Sequence, residues 1–368
     1  IVLKRIEMKK IELLLGWLFS AAFLFTLTSC ESDDQPVVVE IPEQTEGVFV
    51  LNRGNFKENN ASISYFDTES KTVVSDLFST LNGRKLGDSA QELLVYGGKM
   101  YTTVYGSYQI EVMDKKGKSL KTITSKNTDD SYHQPRCMAS GNGKVYVTFY
   151  DGYVGMVDTT SLEVTKIAPV GLNPEQLTLV NNKIYVAVSE GMATTPGTKV
   201  AVLDATTLAE ITKIDVLMNP TEILSDSQGD VYVISMGDYG NTLNNTLQRI
   251  DKQTQKSTVL MEATTMTMKN DTLYAINALW GKPVTDYIKY DCKNESVITT
   301  NFLKDAITYP VGANPSCLAV DPVTGNIYIG VSDFKTNSDM HIFSPEGKLL
   351  HKFEVGLEPK SIAFISNK

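Results

Sequence analysis

Apolar and polar positions alternate along this chain in short runs, and one run keeps returning. Residues 144–149 (KVYVTF) have close copies at 183–188 (KIYVAV), 99–104 (KMYTTV), 230–235 (DVYVIS), 272–277 (TLYAIN) and 326–331 (NIYIGV). A seventh copy, 47–52 (GVFVLN), has Phe49 in the tyrosine position. The aromatics fall at 49, 101, 146, 185, 232, 274 and 328, spaced by 52, 45, 39, 47, 42 and 54 residues. A period of this size, built on β-branched and aromatic residues, predicts a propeller rather than a helical solenoid.

Each unit follows one grammar. An opening segment, often with Pro, leads into a short apolar strand: 173–177 (NPEQL), 219–223 (NPTEI), 314–318 (NPSCL) and 134–138 (QPRCM). A polar turn precedes the Tyr-bearing strand, which reads apolar on both faces, as a strand packed between two neighbouring sheets must. A variable loop follows, then a third strand ending at Asp67, Asp114, Asp158, Asp204, Asp251 or Asp291, with Ser344 in that place in the last unit. Such side chains bond their own backbone in turns. A fourth strand closes the unit. Four antiparallel strands make one blade. The fold is therefore all-β, a seven-bladed propeller with blades at 47–80, 86–126, 132–170, 171–217, 218–262, 263–311 and 312–355. The first blade lacks an innermost strand. Residues 359–365 (PKSIAFI) match the opening strand of a blade, so the C-terminal strand is expected to complete blade 1 and close the ring.

Residues 1–29 stand apart. Lys9 and Lys10 precede an apolar run from Leu13 to Leu27, too short to span a bilayer but suited to a signal-peptide core. Met8 is the more natural start. The run ends at 27–30 (LTSC), which resembles a bacterial lipoprotein signal with cleavage before Cys30 and lipidation of its sulfur. The acidic stretch at 31–35 (ESDDQ) resembles the surface-export signal of lipoproteins in Bacteroides-type bacteria; the plainer reading is a solvated tether. Residues 30–46 are read as the anchor and spacer, and 47–368 as the propeller.

Charge narrows the partners. The chain has 34 Lys and Arg against 43 Asp and Glu, and removing the leader leaves a net charge of −11. That argues against nucleic acid. Cys137 and Cys317 share one slot in blade opening strands four blades apart, so they read as free thiols, and Cys292 as half-exposed. No catalytic motif, metal-ligand spacing or cofactor signature occurs. His133 reads as a rim residue rather than a general base. Undetected carboxylates at the axis leave a lyase or hydrolase open.

The loops joining second and third strands are where a rigid frame would carry function. They are 52–60, 105–108, 150–153, 190–199, 237–245, 279–283 and 333–337. Most carry an aromatic: Phe56, Tyr105, Tyr108, Tyr150, Tyr153, Tyr239, Trp280 and Phe334, with Asn52 and Arg53 beside the first. Such a ring suits a large, flat, partly polar ligand, because aromatics supply contact area and amides set orientation. About half of these rings are expected to pack as satellite core instead. Trp280 is the leading single candidate.

The Pro-led opening, the Tyr strand and the Asp turn, seen best at 173–207 and 314–330, resemble the YncE-like, surface-layer-type seven-bladed propellers. With a lipoprotein signal in front, the chain is similar to propeller lipoproteins of Bacteroides-type bacteria. Some of those capture cobalamin at the cell surface and pass it to a TonB-dependent outer-membrane transporter. The resemblance implies a non-enzymatic surface protein, anchored in the outer membrane by lipid alone, with a corrinoid as ligand. A docking scaffold of an uptake complex is the competing expectation.

Overall fold

The recurring tyrosine is explained by what it touches. In the computed structural model, which describes residues 43–367 apart from 240–242, 244, 280 and 285, each repeat aromatic fills the interface between its own blade and the next. Phe49 packs with Leu93 and Met100 of blade 2, Tyr101 with Met138 and Val147 of blade 3, and Tyr146 with Leu177 and Val186 of blade 4. Tyr185, Tyr232, Tyr274 and Tyr328 repeat this against blades 5, 6, 7 and 1. There are seven such apolar clusters, one per blade interface, and none of the seven rings exceeds 8% exposure. Truncating such a ring costs about 3–5 kcal/mol.

The architecture is seven four-stranded antiparallel sheets. From the axis outward, blade 2 runs Ala90–Tyr96, Lys99–Val104, Gln109–Asp114 and Ser119–Ile123. Blades 3 to 7 repeat that order, beginning at Pro135–Gly141, Pro174–Val180, Pro220–Ser225, Thr265–Lys269 and Asn314–Val320. Blade 1 is built from both ends of the propeller. Its inner strand is Pro359–Ser366, paired antiparallel with Thr45–Asn52, followed by Ser62–Asp67 and Val73–Val74. The ring is closed by the C-terminal strand, as the sequence pattern implied.

The Asp-led turns are closed by the side chains expected to close them. Asp67 accepts from the Ser70 amide at 2.7 Å, Asp158 from Ser161 at 2.8 Å, Asp204 from Thr207 at 2.8 Å and Asp251 from Thr254 at 2.7 Å. Asp114 and Asp291 do the same for Lys116 and Asn294, and Ser344 accepts from Glu346.

Blade 1 departs from the pattern at its outer edge. Its fourth strand has two residues, and Leu77–Asn82 then forms a helix rather than more strand. Asp76 caps it by accepting from the Ser79 amide, and Gly83 ends it with φ +66°. Phe78 drops from this helix into the blade 1–2 interface. Two further expectations fail on burial. His133 is 3% exposed, stacked on Phe149 and held by its Nδ1 at 2.7 Å from Asp151 Oδ2. Cys292 is a buried free thiol rather than a half-exposed one; it packs with Tyr232 and Tyr290 in the blade 5–6 interface.

Candidate functional site

The inner strands set the geometry of the axis. The residue ahead of the strand entry takes the left-handed conformation in four blades: Ser89 (φ +54°), Asn173 (+50°), Asn219 (+63°) and Glu358 (+56°). Asn tolerates this region better than most residues, which accounts for the Asn-Pro pairs. The side chain two residues after the entry then reaches the next blade. Ser361 Oγ accepts from Leu93 N at 3.1 Å, Gln176 Oε1 from Ile223 N at 3.0 Å, and Glu222 Oε2 from Met266 N at 2.8 Å. Glu92 accepts from Met138 N in the same way. These latches tie blade to blade around the axis. The two carboxylates among them are only partly exposed. Burial pushes Glu92 up to about 7, opposed by the Met138 amide and by Lys360, and raises Glu222 for the same first reason.

One step earlier on the inner strands lies a second chain of contacts. Arg136 of blade 3 places Nε and Nη2 on the Glu175 carboxylate of blade 4, at 2.8 and 3.1 Å, and Nη1 on Gln91 Oε1 of blade 2 at 3.2 Å. The planar guanidinium is thereby fixed across three blades. Its face is turned to two loop aromatics, with the Tyr150 ring centroid at 4.7 Å and that of Tyr105 at 5.8 Å. Tyr105 meets Tyr150 edge-on at 5.8 Å, and Phe56 lies 6.1 Å from Tyr105. Burial pushes the Tyr150 hydroxyl up to about 12, with Glu175 adding to the effect and Arg136 opposing it. On blade 5, the Tyr239 hydroxyl donates to Gly191 O at 2.8 Å.

Three of the sequence-derived candidates, Phe56, Tyr105 and Tyr150, therefore form an arc over blades 1, 2 and 3, and Tyr239 stands on the blade 5 loop beside Gly191 of blade 4. Phe56 and Tyr239 are exposed, at 55% and 61%. The other candidates separate from it. Tyr108 faces Tyr132 instead, and Tyr153 packs edge-on against the buried His133. Phe334 sits half-buried in its own tight turn. Asn52 is no loop residue at all. It ends a strand, fully buried, with Nδ2 donating to Ser62 and Ser64. Arg53 is committed to Glu358 at 2.8 Å. Trp280 and Cys30 lie outside the described residues. Arg136, Glu175 and Gln91 were missed by motif reasoning. Their only signal was a charged or amide side chain at the second position of each opening strand.

The two faces of the ring differ. The face formed by the second-to-third-strand loops and the blade-to-blade links exposes Phe56, Leu172, Met192, Leu217, Tyr239 and Leu243. Among the described residues, the turns of the opposite face expose no large apolar side chain. Exposed apolar side chains gathered on one face suit an interaction site.

Comparison with known proteins places this frame. A family model described as a domain of unknown function, DUF5074, matches residues 46–355. The chain belongs to the DUF5074 family. The DUF5074 match runs from the second strand of blade 1 to the outer strand of blade 7, and stops before the closing strand. No curated protein matches the sequence. Among solved structures, one similar chain is a quinonprotein alcohol dehydrogenase-like protein from Bacteroides thetaiotaomicron VPI-5482. It shares 18% identity over 87% of this chain and 78% of that one, with a TM-score of 0.64. Kuenenia stuttgartiensis hydrazine synthase is similar at 15% identity over 80% and 91% of the two chains, TM-score 0.57. The computationally designed Ika8 protein is similar at 12% identity over 87% and 92%, TM-score 0.55. At these identities the likeness is one of fold.

Proposed function

We propose that this DUF5074 propeller is a non-enzymatic ligand-binding lipoprotein of the cell surface, anchored through Cys30, and that its ligand lies on the aromatic arc. The observation that carries this reading is the clamped Arg136, which holds the Tyr105 and Tyr150 rings in place before any ligand arrives. Rings ordered in advance lose little freedom on binding. The exposed Phe56 and Tyr239 widen the platform to suit a large, flat, partly polar molecule. A corrinoid is the class implied by the resemblance to surface propeller lipoproteins, with a TonB-dependent transporter as the recipient.

Titration calorimetry of the soluble protein from residue 36 onward with cyanocobalamin tests this. One-to-one binding is expected, weakened at least about tenfold by Tyr150→Ala and by Tyr105→Ala. Absence of heat at micromolar protein removes the corrinoid reading. The exposed Leu172, Met192 and Leu217 on the same face favour a second reading, in which this face docks an outer-membrane protein. In that case pull-down from membranes recovers a transporter, and recovery falls with Met192→Glu. Cys30→Ser is expected to release the protein from the membrane fraction under either reading.

A further inference from the structure

The link between blades 6 and 7, residues 300–313, does not simply cross from one sheet to the next. It folds back along the third strand of blade 6. Tyr287 N donates to Thr300 O at 3.0 Å and Phe302 N donates to Tyr287 O at 2.8 Å. Phe302 and Leu303 are buried in the interface between the two blades, and Lys304 N is fixed to Gly347 O at 2.8 Å. The link continues along this interface, with Ile307 and Tyr309 packed against the same cluster, and reaches Ala313. Between it and residues 282–284 is a cavity of about 410 Å³. That size falls within the ordinary range for small-molecule sites.

The lining has two characters. Val284, Leu303, Ile307 and Ala313 give apolar walls. Tyr287 and Tyr309 bring their hydroxyls to 2.5 Å from each other, and Lys282 and Lys304 contribute two exposed ammonium groups. A phenol pair at this distance uses one proton between its oxygens. The second proton has no acceptor among the described residues, so the pair presents a donor to whatever fills the cavity. Burial raises both phenols, which keeps that proton in place. The nearby Lys289 is otherwise engaged, donating to Pro345 O at 2.7 Å and lying over Tyr274 and Phe302. Neither Lys282 nor Lys304 has an ion-pair partner within 4 Å among the described residues.

We propose that this cavity is a second binding site, separate from the aromatic arc, for a compact amphipathic anion: a flat apolar body between the aliphatic walls, and a carboxylate or sulfonate head met by Lys282, Lys304 and the spare tyrosine proton. Apolar walls with a few convergent donors are the usual make-up of such sites, and two cations at the rim select the sign of the head group.

The probe is 8-anilinonaphthalene-1-sulfonate, titrated into the purified protein and followed by fluorescence. One saturable site is expected. Lys304→Glu should weaken it by about tenfold or more. Ala306→Trp, an exposed position on the cavity wall, should abolish the saturable signal by filling the space. N-phenyl-1-naphthylamine, which keeps the rings but lacks the sulfonate, should bind wild type more weakly and be insensitive to Lys304→Glu. Tyr105→Ala and Tyr150→Ala should leave the sulfonate titration unchanged, which separates this site from the arc. Each variant is compared at an unchanged urea midpoint; if Ala306→Trp lowers the midpoint, the Lys304→Glu result decides. Full saturable binding to Ala306→Trp, equal response of the charged and uncharged probes, or no saturable signal in wild type would overturn the proposal.

Discussion

Glu92→Gln should make the propeller more stable at pH 8 than it is naturally. Glu92 bonds the Met138 amide across a blade interface, and burial lifts its carboxyl from 4.5 to about 7. Between these values the folded protein holds a proton that the unfolded chain has already released. Stability therefore falls as pH rises through the window from 4.5 to 7, and the loss is complete above it. At about 1.4 kcal/mol per unit, the loss is at most about 3 kcal/mol, since Glu92 is partly open to solvent. Gln keeps an oxygen for the Met138 amide and has no charge to bury. Urea denaturation midpoints of both proteins, taken from pH 4.5 to 8, provide the assay. The two should agree near pH 4.5 and separate in favour of Glu92→Gln above pH 7. Glu222 and Glu358 are raised by burial as well, so the difference between proteins, rather than either curve alone, isolates Glu92. A difference that does not change with pH would refute the reasoning.

Three further outcomes are expected. Tyr146→Phe should cost about 1 kcal/mol in urea denaturation, because it leaves the Ala205 carbonyl, which accepts from the Tyr146 hydroxyl at 2.9 Å in a buried interface, without its donor. Cys292 and Cys317 should resist an aromatic disulfide reagent in the native protein and react once it is unfolded, since both are buried and burial pushes their thiols up to about 11 and about 12. Acid should unfold the blade edges through the turn aspartates: backbone amides hold Asp67, Asp204, Asp251 and Asp291 below the usual carboxylate range, so the stability they contribute is present above that range and is lost as pH falls through their lowered values. Asp251→Asn should reduce the acid dependence in proportion to its share, read from denaturation between pH 5 and 2.

The ring was legible in the sequence because one side chain per unit carries the inter-blade contact. Tyr101, Tyr146 and Tyr232 recur since each fills the same slot against the next blade, and a slot of fixed shape holds its residue type fixed. The Asp turns were legible for a similar reason, as their function is local. The axis was harder to read. Arg136 lies 45 residues from Gln91 and 39 from Glu175, and only the side-by-side packing of blades 2, 3 and 4 makes these three neighbours. Asn52 and His133 misled in the opposite direction, because polarity suggested the surface. Asn52 instead satisfies two buried hydroxyls, and His133 fills a space between Phe149 and Tyr153 while bonded to Asp151. The aromatic loops were found as a set, but which rings converge depended on Arg136, whose partners lie on other blades.

Blade 1 is made from strands more than 300 residues apart, Thr45–Asn52 and Pro359–Ser366. Until the later strand has been synthesised, the earlier one has an open edge and the first and last blades have no common wall. Six blades can form as their strands emerge, but the circle is sealed in one long-range step. The propeller therefore cannot reach its finished shape early; it locks only when its two ends meet. The seam should accordingly be the slowest contact to form in refolding, and the place where a C-terminal nick does the most harm.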